Sequence, residues 1–187
     1  EGRVARELKA LGYRVTALDP VAGMIEAARQ ADSADAYVVA GGDSIPFGDG
    51  RFDKVVAYNV LMDVQDVPAT VKEIRRVLKP GGELIVSLVH PFRDRGRFAG
   101  PEPDAPFMLE GSYFGIERFE GMEERDGLRM DFAGWSQPLE SYAAALEDAG
   151  LAITALREPL PAPETAGLQH YNRIPLFLWL KARPLAG

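Results

Sequence analysis

The chain has 187 residues, enough for one domain that buries roughly 70% of the surface its unfolded form exposes. Hydrophobic residues make up 47% and charged residues 26%, a globular composition, and the lack of cysteine excludes thiolate nucleophiles, thiolate metal sites and disulfides. A net charge of −7 without a Lys/Arg block argues against nucleic-acid partners, and with no long apolar run and no signal-peptide pattern the chain reads as cytoplasmic, with no membrane partner.

Val4, Ala5, Leu8 and Leu11 recur at helical spacing and predict a helix over Arg3 to Leu11, stopped by Gly12. Tyr13 to Leu18 reads as a strand entering Asp19, and Met24 to Ala31 as the next helix. Tyr37 to Ala40 is a short buried strand running into Gly41-Gly42-Asp43. After a turn at Gly48-Asp49-Gly50, Phe52 to Tyr58 is a third strand. Val71, Ile74, Val77 and Leu78 share one face of a helix over Val67 to Leu78, which Pro80-Gly81-Gly82 ends before a fourth strand, Glu83 to Val89. Strand and helix alternating in this way predict a doubly wound α/β architecture with a mostly parallel sheet. From Pro91 the helical period disappears among prolines, glycines and aromatics, and residues 91–137 read as a lid inserted after the fourth strand. Leu128, Met130 and Phe132 alternate with polar residues, predicting a hairpin that turns at Asp126-Gly127. Leu139 to Ala149 is again an amphipathic helix, and Ala152 to Leu156 a strand. The last strand, Leu176 to Lys181, arrives without a crossover helix and so enters antiparallel. One domain spans residues 1–187, with no repeat or interdomain linker.

Asp19 falls at the carboxyl end of a strand, where open α/β sheets bind ligands and where a carboxylate can accept both hydroxyls of a ribose. An aspartate in that place also serves as a turn or cap acid. Asp43 stands just past the next strand, positioned to accept from an exocyclic adenine amine while Ile45 packs on the ring; its bland alternative is an Asx-turn. The two together point to a nucleoside pocket more specifically than either alone.

Gly2, Asp19-Pro20, Gly42-Asp43-Ser44-Ile45-Pro46-Phe47, Phe52-Asp53, Asn59-Val60-Leu61-Met62 and Val77-Leu78-Lys79-Pro80-Gly81-Gly82 form an ordered series. It resembles the motifs of class I S-adenosylmethionine-dependent methyltransferases, closest to the small-molecule branch of ubiquinone and menaquinone biosynthesis. The resemblance runs from Glu1 to about Val89, with less specific likeness beyond. It implies a Rossmann-like fold and S-adenosylmethionine as cofactor. It also implies a cofactor pocket of Gly2, Asp19, Pro20, Met24, Asp43, Ser44, Ile45, Asn59 and Val60, in which Asp19 holds the ribose, Asp43 and Ile45 the adenine, Met24 lies near the base and Asn59 near the methionine part. Two departures stand out. Glu1-Gly2-Arg3 resembles only the tail of the family's glycine-rich turn, so the strand before it is expected to be missing and the domain N-terminally incomplete. Val21 stands where the family often has a Ser or Thr helix cap, a loss of typically about 1 kcal/mol.

His90 follows the fourth strand directly and is the candidate general base, with contact to lid or substrate as the alternative. Phe92, Tyr113 and Trp135 are the candidate substrate residues. Tyr113, Phe114, Phe119, Phe132 and Trp135 could form an aromatic wall over the substrate or simply pack the lid. Glu117 to Asp126 reads as a solvated face, and His170 as a surface residue. Two isolated histidines without ligand spacing give no metal site. The expected function is methyl transfer to a small-molecule acceptor, the oligomeric state being open. A nicotinamide-dependent oxidoreductase is the first rival, since Asp19 would serve its ribose equally, and a nucleoside-binding module without catalysis is the second.

Overall fold

The computed structural model describes residues 2–125, 128–163, 165 and 167–185. Its elements are α1 (Arg3–Ala10), β1 (Thr16–Asp19), α2 (Ala22–Gln30), β2 (Ala36–Val39), β3 (Phe52–Tyr58), α3 (Val67–Val77), β4 (Leu78–Val89), β5 (Gly96–Phe98), β6 (Phe107–Leu109), β7 (Glu117–Arg125), β8 (Leu128–Ser136), α4 (Leu139–Asp148), β9 (Leu151–Arg157) and β10 (Phe177–Pro184). The main sheet runs β3-β4-β10-β9, with β3 and β4 parallel and β10 antiparallel to both β4 and β9. β3, β4 and β9 therefore share one direction, and the last strand enters between β4 and β9 against it, as the missing crossover helix requires. β1 and β2 form a separate parallel pair. Among the described residues no ladder joins β1 to β3, and the Arg3 guanidinium stacks over the Tyr58 ring at 5.6 Å across that space.

The core lies where α3 and α4 pack on the main sheet. Val67, Val71 and Ile74 of α3 and Tyr142, Ala145 and Leu146 of α4 meet Leu84, Val86 and Leu88 of β4 and Leu178, Leu180 and Ala182 of β10. Burial of such aliphatic side chains contributes about 1.5–3 kcal/mol each, which makes this layer the principal stabiliser of the fold. Asp66 caps α3 by accepting from Ala69 N at 2.8 Å, and Pro68 occupies the first turn, where a missing N–H costs nothing. α1 is less well covered: Val4, Ala5 and Leu8 are half-buried, while Leu11, already past the last helical turn, is 75% exposed.

Several boundaries move from their expected places. Leu78 belongs to β4 rather than to the helix before it, and Pro80-Gly81-Gly82 forms a bulge inside the strand instead of a turn ahead of it. Phe52 pairs with Leu78 and Lys54 with Glu83, so residues 79–82 stand against Asp53 alone. Glu83, just after the bulge, is 5% exposed and accepts from Lys54 Nζ at 3.1 Å and Arg183 Nη2 at 3.0 Å, tying three strands together. The Lys54 hydrogen bond holds its carboxyl below the usual range, against the opposing effect of burial.

The region after β4 carries two hairpins, β5–β6 and β7–β8. Arg125 pairs with Leu128, while the expected turn residues Asp126 and Gly127 lie outside the described residues. His170 departs from its expected surface position. Its half-buried ring packs on Phe98 at 4.4 Å and Tyr171 at 4.8 Å, because the loop before β10 folds back over β5. Glu117 is likewise more than part of a solvated face, since Oε2 lies 2.7 Å from Nη1 of buried Arg95. Among the described residues no helix is long and apolar enough to cross a membrane.

Candidate functional site

Parallel pairing of β1 and β2 ends at Asp19, and the loop that follows β2 carries Asp43. Asp19 is opposite Val39 at the strand ends, and Ala40 N donates to Asp19 O at 3.2 Å, so the chain leaves β2 toward Gly41-Gly42-Asp43 beside the Asp19 carboxylate. Asp19 is the last residue of β1 rather than one past it. Its Oδ1 accepts from Val21 N at 2.8 Å; its other carboxylate oxygen has no hydrogen bond among the described residues. The bland and functional readings of Asp19 are therefore compatible, since one oxygen shapes the entry to α2 and the other is not engaged by the described residues. Val21 itself caps α2 without a side-chain hydrogen bond. Pro20 and Met24 are exposed at that entry.

Asp43 is exposed, and a Cβ added to Gly41 would come 2.5 Å from Asp43 Oδ1, so the carboxylate lies back over the glycine. At Gly42 a Cβ would meet the Thr70 methyl at 2.9 Å, and only glycine lets this turn seat on α3. Ser44 is exposed, its N–H closing the turn onto Gly41 O at 3.3 Å. Ile45 is placed differently from the expectation of a ring platform alone: partly buried, it packs against the main core. Its N–H donates to Glu73 Oε2 at 3.0 Å and its carbonyl accepts from Arg76 Nη2 at 2.9 Å.

Asn59 sits just past β3 with φ of 51°, a left-handed conformation that asparagine tolerates better than most residues. Its N–H donates to Ser87 O at 2.8 Å and its Oδ1 accepts from Ser87 Oγ at 3.1 Å, which fixes the residue to β4. Val60 is exposed and Leu61 buried. Met62 O then accepts from Trp135 N at 2.7 Å. That bond brings Trp135 of β8 onto the segment that begins at Asn59, joining candidates 76 positions apart in the chain. Gly134 makes the approach possible, since a Cβ there would lie 2.9 Å from Met62 O and 2.6 Å from the Phe119 ring.

Phe92 is exposed and stacks near Phe107 at 5.4 Å and Tyr113 at 6.1 Å. The Tyr113 hydroxyl accepts from Leu139 N at 3.0 Å and so closes the start of α4. Of the expected aromatic wall, Phe119 and Phe132 pack on each other at 6.4 Å, whereas Phe114 is 71% exposed. Gly2 adopts φ of 78°, and any side chain there would overlap Ser33, so the residue is held against α2 and the turn after it.

His90 is buried, and both ring nitrogens are engaged. Phe92 N–H donates to Nδ1 at 3.1 Å, which leaves the proton on Nε2, 3.0 Å from Glu158 Oε1. Burial pushes the imidazole below its ordinary value, against the pull of Glu158. With Nδ1 accepting from Phe92 and Nε2–H directed at Glu158, the ring links the end of β4 to the loop after β9. Nearby, burial raises the Asp94 carboxyl against the opposing effect of Arg93 and Arg95. The Tyr142 hydroxyl, bonded to Gln137, is pushed up to about 12 by burial.

Glu73, Arg76, Gly134 and Glu158 do not stand out in the sequence reading. The first two were legible as an acid and a base three apart on the polar side of α3; the others announce themselves only through distant partners.

Residues 1–86 match the family described as a methyltransferase domain. The malonyl-[acyl-carrier protein] O-methyltransferase of Erwinia pyrifoliae is 34% identical over 86 residues, 46% of this chain and 33% of that protein. The chain thus spans about a third of the length of the first curated relatives it matches. The demethylmenaquinone methyltransferase of Mycobacterium sp. strain KMS is 31% identical over 150 residues, 70% of this chain and 62% of the other. In structure, an S-adenosylmethionine dependent methyltransferase from Mesorhizobium loti superposes with a TM-score of 0.78 at 23% identity, covering 97% of this chain and 86% of that one.

Proposed function

We propose that the chain is a class I S-adenosylmethionine-dependent methyltransferase acting on a small-molecule acceptor, a reading supported by the match of residues 1–86 to a methyltransferase domain and by the shared fold. The observation that carries this reading is the parallel β1–β2 pair, which ends at Asp19 and whose second strand leads into the loop holding Asp43, with Trp135 N bound to Met62 O after β3. The residues present fit the cofactor: Asp19 has a carboxylate oxygen without a protein partner among the described residues, and Gly41 keeps clear the space under the Asp43 carboxylate. Asp19 holds the ribose hydroxyls, Asp43 the adenine amine, and Asn59, fixed by Ser87, lines the methionine end. Gly2, Pro20, Met24, Ser44, Ile45 and Val60 complete the pocket wall. When bound, the cofactor supplies a methyl group already activated on a sulfonium, so the acceptor's lone pair forms the new bond as the carbon–sulfur bond breaks.

The protein's share is alignment and exclusion of water. Phe92, Tyr113 and Trp135 are assigned to the acceptor, and neutral His90 keeps Phe92 in place through Nδ1. A small acceptor is favoured over one borne by a carrier protein. The likeness to the malonyl-carrier enzyme covers 46% of the chain, whereas a match over 70%, as with the menaquinone enzyme, must run into the lid. Net charge −7 supports the same choice over a nucleic acid, and the proposed setting is the cytoplasm. Calorimetric titration tests the assignment: S-adenosylhomocysteine binds and NADH does not compete. Binding of NADH without binding of the thioether would overturn it.

A further inference from the structure

The loop from β2 to β3 carries Asp43, yet Asp43 has no hydrogen bond to hold it among the described residues. What fixes the loop is α3. Thr70 receives Gly42, with room for no Cβ. One turn on, Glu73 takes the Ile45 N–H at 3.0 Å. A turn further, Arg76 donates to Ile45 O at 2.9 Å, Phe47 O at 2.7 Å and Asp49 Oδ1 at 2.9 Å, while its own carbonyl accepts from Gly50 N at 2.9 Å. Glu73 also grips Arg76 in a two-pronged pair, Nε to Oε1 and Nη2 to Oε2, both at 2.7 Å. A single ion pair therefore pins both backbone groups of Ile45, two residues from Asp43.

We propose that the Glu73–Arg76 pair is a specificity-determining clamp, which recognises no ligand itself but holds the Asp43 carboxylate where it selects an adenine over a 6-oxopurine. The inference rests on the cofactor reading above. A carboxylate accepts a hydrogen bond from an exocyclic amine and repels a carbonyl oxygen at the same position, so selectivity follows from how firmly it is held there. Lysine is no substitute for Arg76, because one ammonium cannot reproduce a planar fork that spans a carboxylate and two carbonyls at once.

The test compares dissociation constants for S-adenosylhomocysteine and S-inosylhomocysteine, in the wild-type chain and in Arg76→Lys, Glu73→Gln and Asp43→Ala. The ratio of the two constants is the readout, since a general loss of stability weakens both ligands alike. The wild type prefers adenine about tenfold or more, roughly the worth of one discriminating contact of about 1.4 kcal/mol. Arg76→Lys brings the ratio to within about twofold of that of Asp43→Ala, and combining the two changes it no further. Glu73→Gln, whose amide oxygen can still accept from Ile45 N, loses part of it and serves where Arg76→Lys fails to fold. A folded Arg76→Lys or Glu73→Gln protein that keeps the full wild-type ratio overturns the clamp and leaves the cofactor reading intact. A wild type that binds neither thioether overturns both.

Discussion

Gly134→Ala is the most economical probe of how the lid meets the rest of the protein. The residue lies outside the left-handed region, so alanine adds no backbone strain and the effect is steric. The new methyl would stand 2.6 Å from the Phe119 ring and 2.9 Å from Met62 O. The ring can turn aside, but the carbonyl belongs to the segment after β3 and is already hydrogen-bonded to Trp135 N at 2.7 Å. Overpacking of this kind costs about 1–3 kcal/mol, and losing the Trp135 bond about 1 kcal/mol more if the hairpin lifts to escape. At about 2 kcal/mol the docked lid is disfavoured roughly thirtyfold, and kcat/KM for the acceptor falls by up to that factor. S-adenosylhomocysteine affinity stays within about twofold, because Asp19 at the end of β1 and Asp43 in the loop after β2 belong to another part of the chain. Labelled methyl transfer and calorimetry measure the two quantities. Adding Phe119→Leu relieves the ring contact only, so activity remains low if the carbonyl contact is the decisive one. Unchanged kcat/KM in a folded Gly134→Ala protein would refute the argument that Trp135 must dock on Met62.

Two further outcomes follow from the site. Asp19→Ala weakens S-adenosylhomocysteine binding by about 2 kcal/mol, roughly thirtyfold, while Asp19→Asn, able to keep an acceptor on Val21 N, loses less; equal affinity of Asp19→Ala and wild type by calorimetry would remove the residue from the pocket. His90 has a folded value depressed below its ordinary 6.5, so its contribution is complete above that pH and is lost as the pH falls through the folded value, where the ring must take a proton and give up the Phe92 N–H. The wild-type Tm accordingly drops more steeply below about pH 6.5 than that of His90→Gln, as thermal melts across pH 5 to 8 would show.

The order of strands and helices was legible in the sequence because each element declares its buried side by its period and its ends by local turn residues. Val71, Ile74 and Val77 had to face inward, and an α-helix followed by a β-strand every few tens of residues leaves little choice but a mostly parallel sheet. Asp19 and Asp43 were visible for the same reason, since strand ends can be located from local pattern. Bulge and turn could not be told apart at Pro80-Gly81-Gly82: the glycines permit both, and the Lys54–Glu83 pairing decides between them.

What the sequence determined by itself, then, was whatever depends on neighbours a few residues away: the elements, the parallel class of sheet, and two carboxylates at strand ends. Only the tertiary structure could decide which partners those groups meet. Nothing local to His90 announces that Glu158, 68 positions on, meets its Nε2, and nothing around Gly134 announces that it stands against Met62. Hydrogen bonds and close contacts of that range are set by how the sheets and lid come together, and local periodicity carries no record of them.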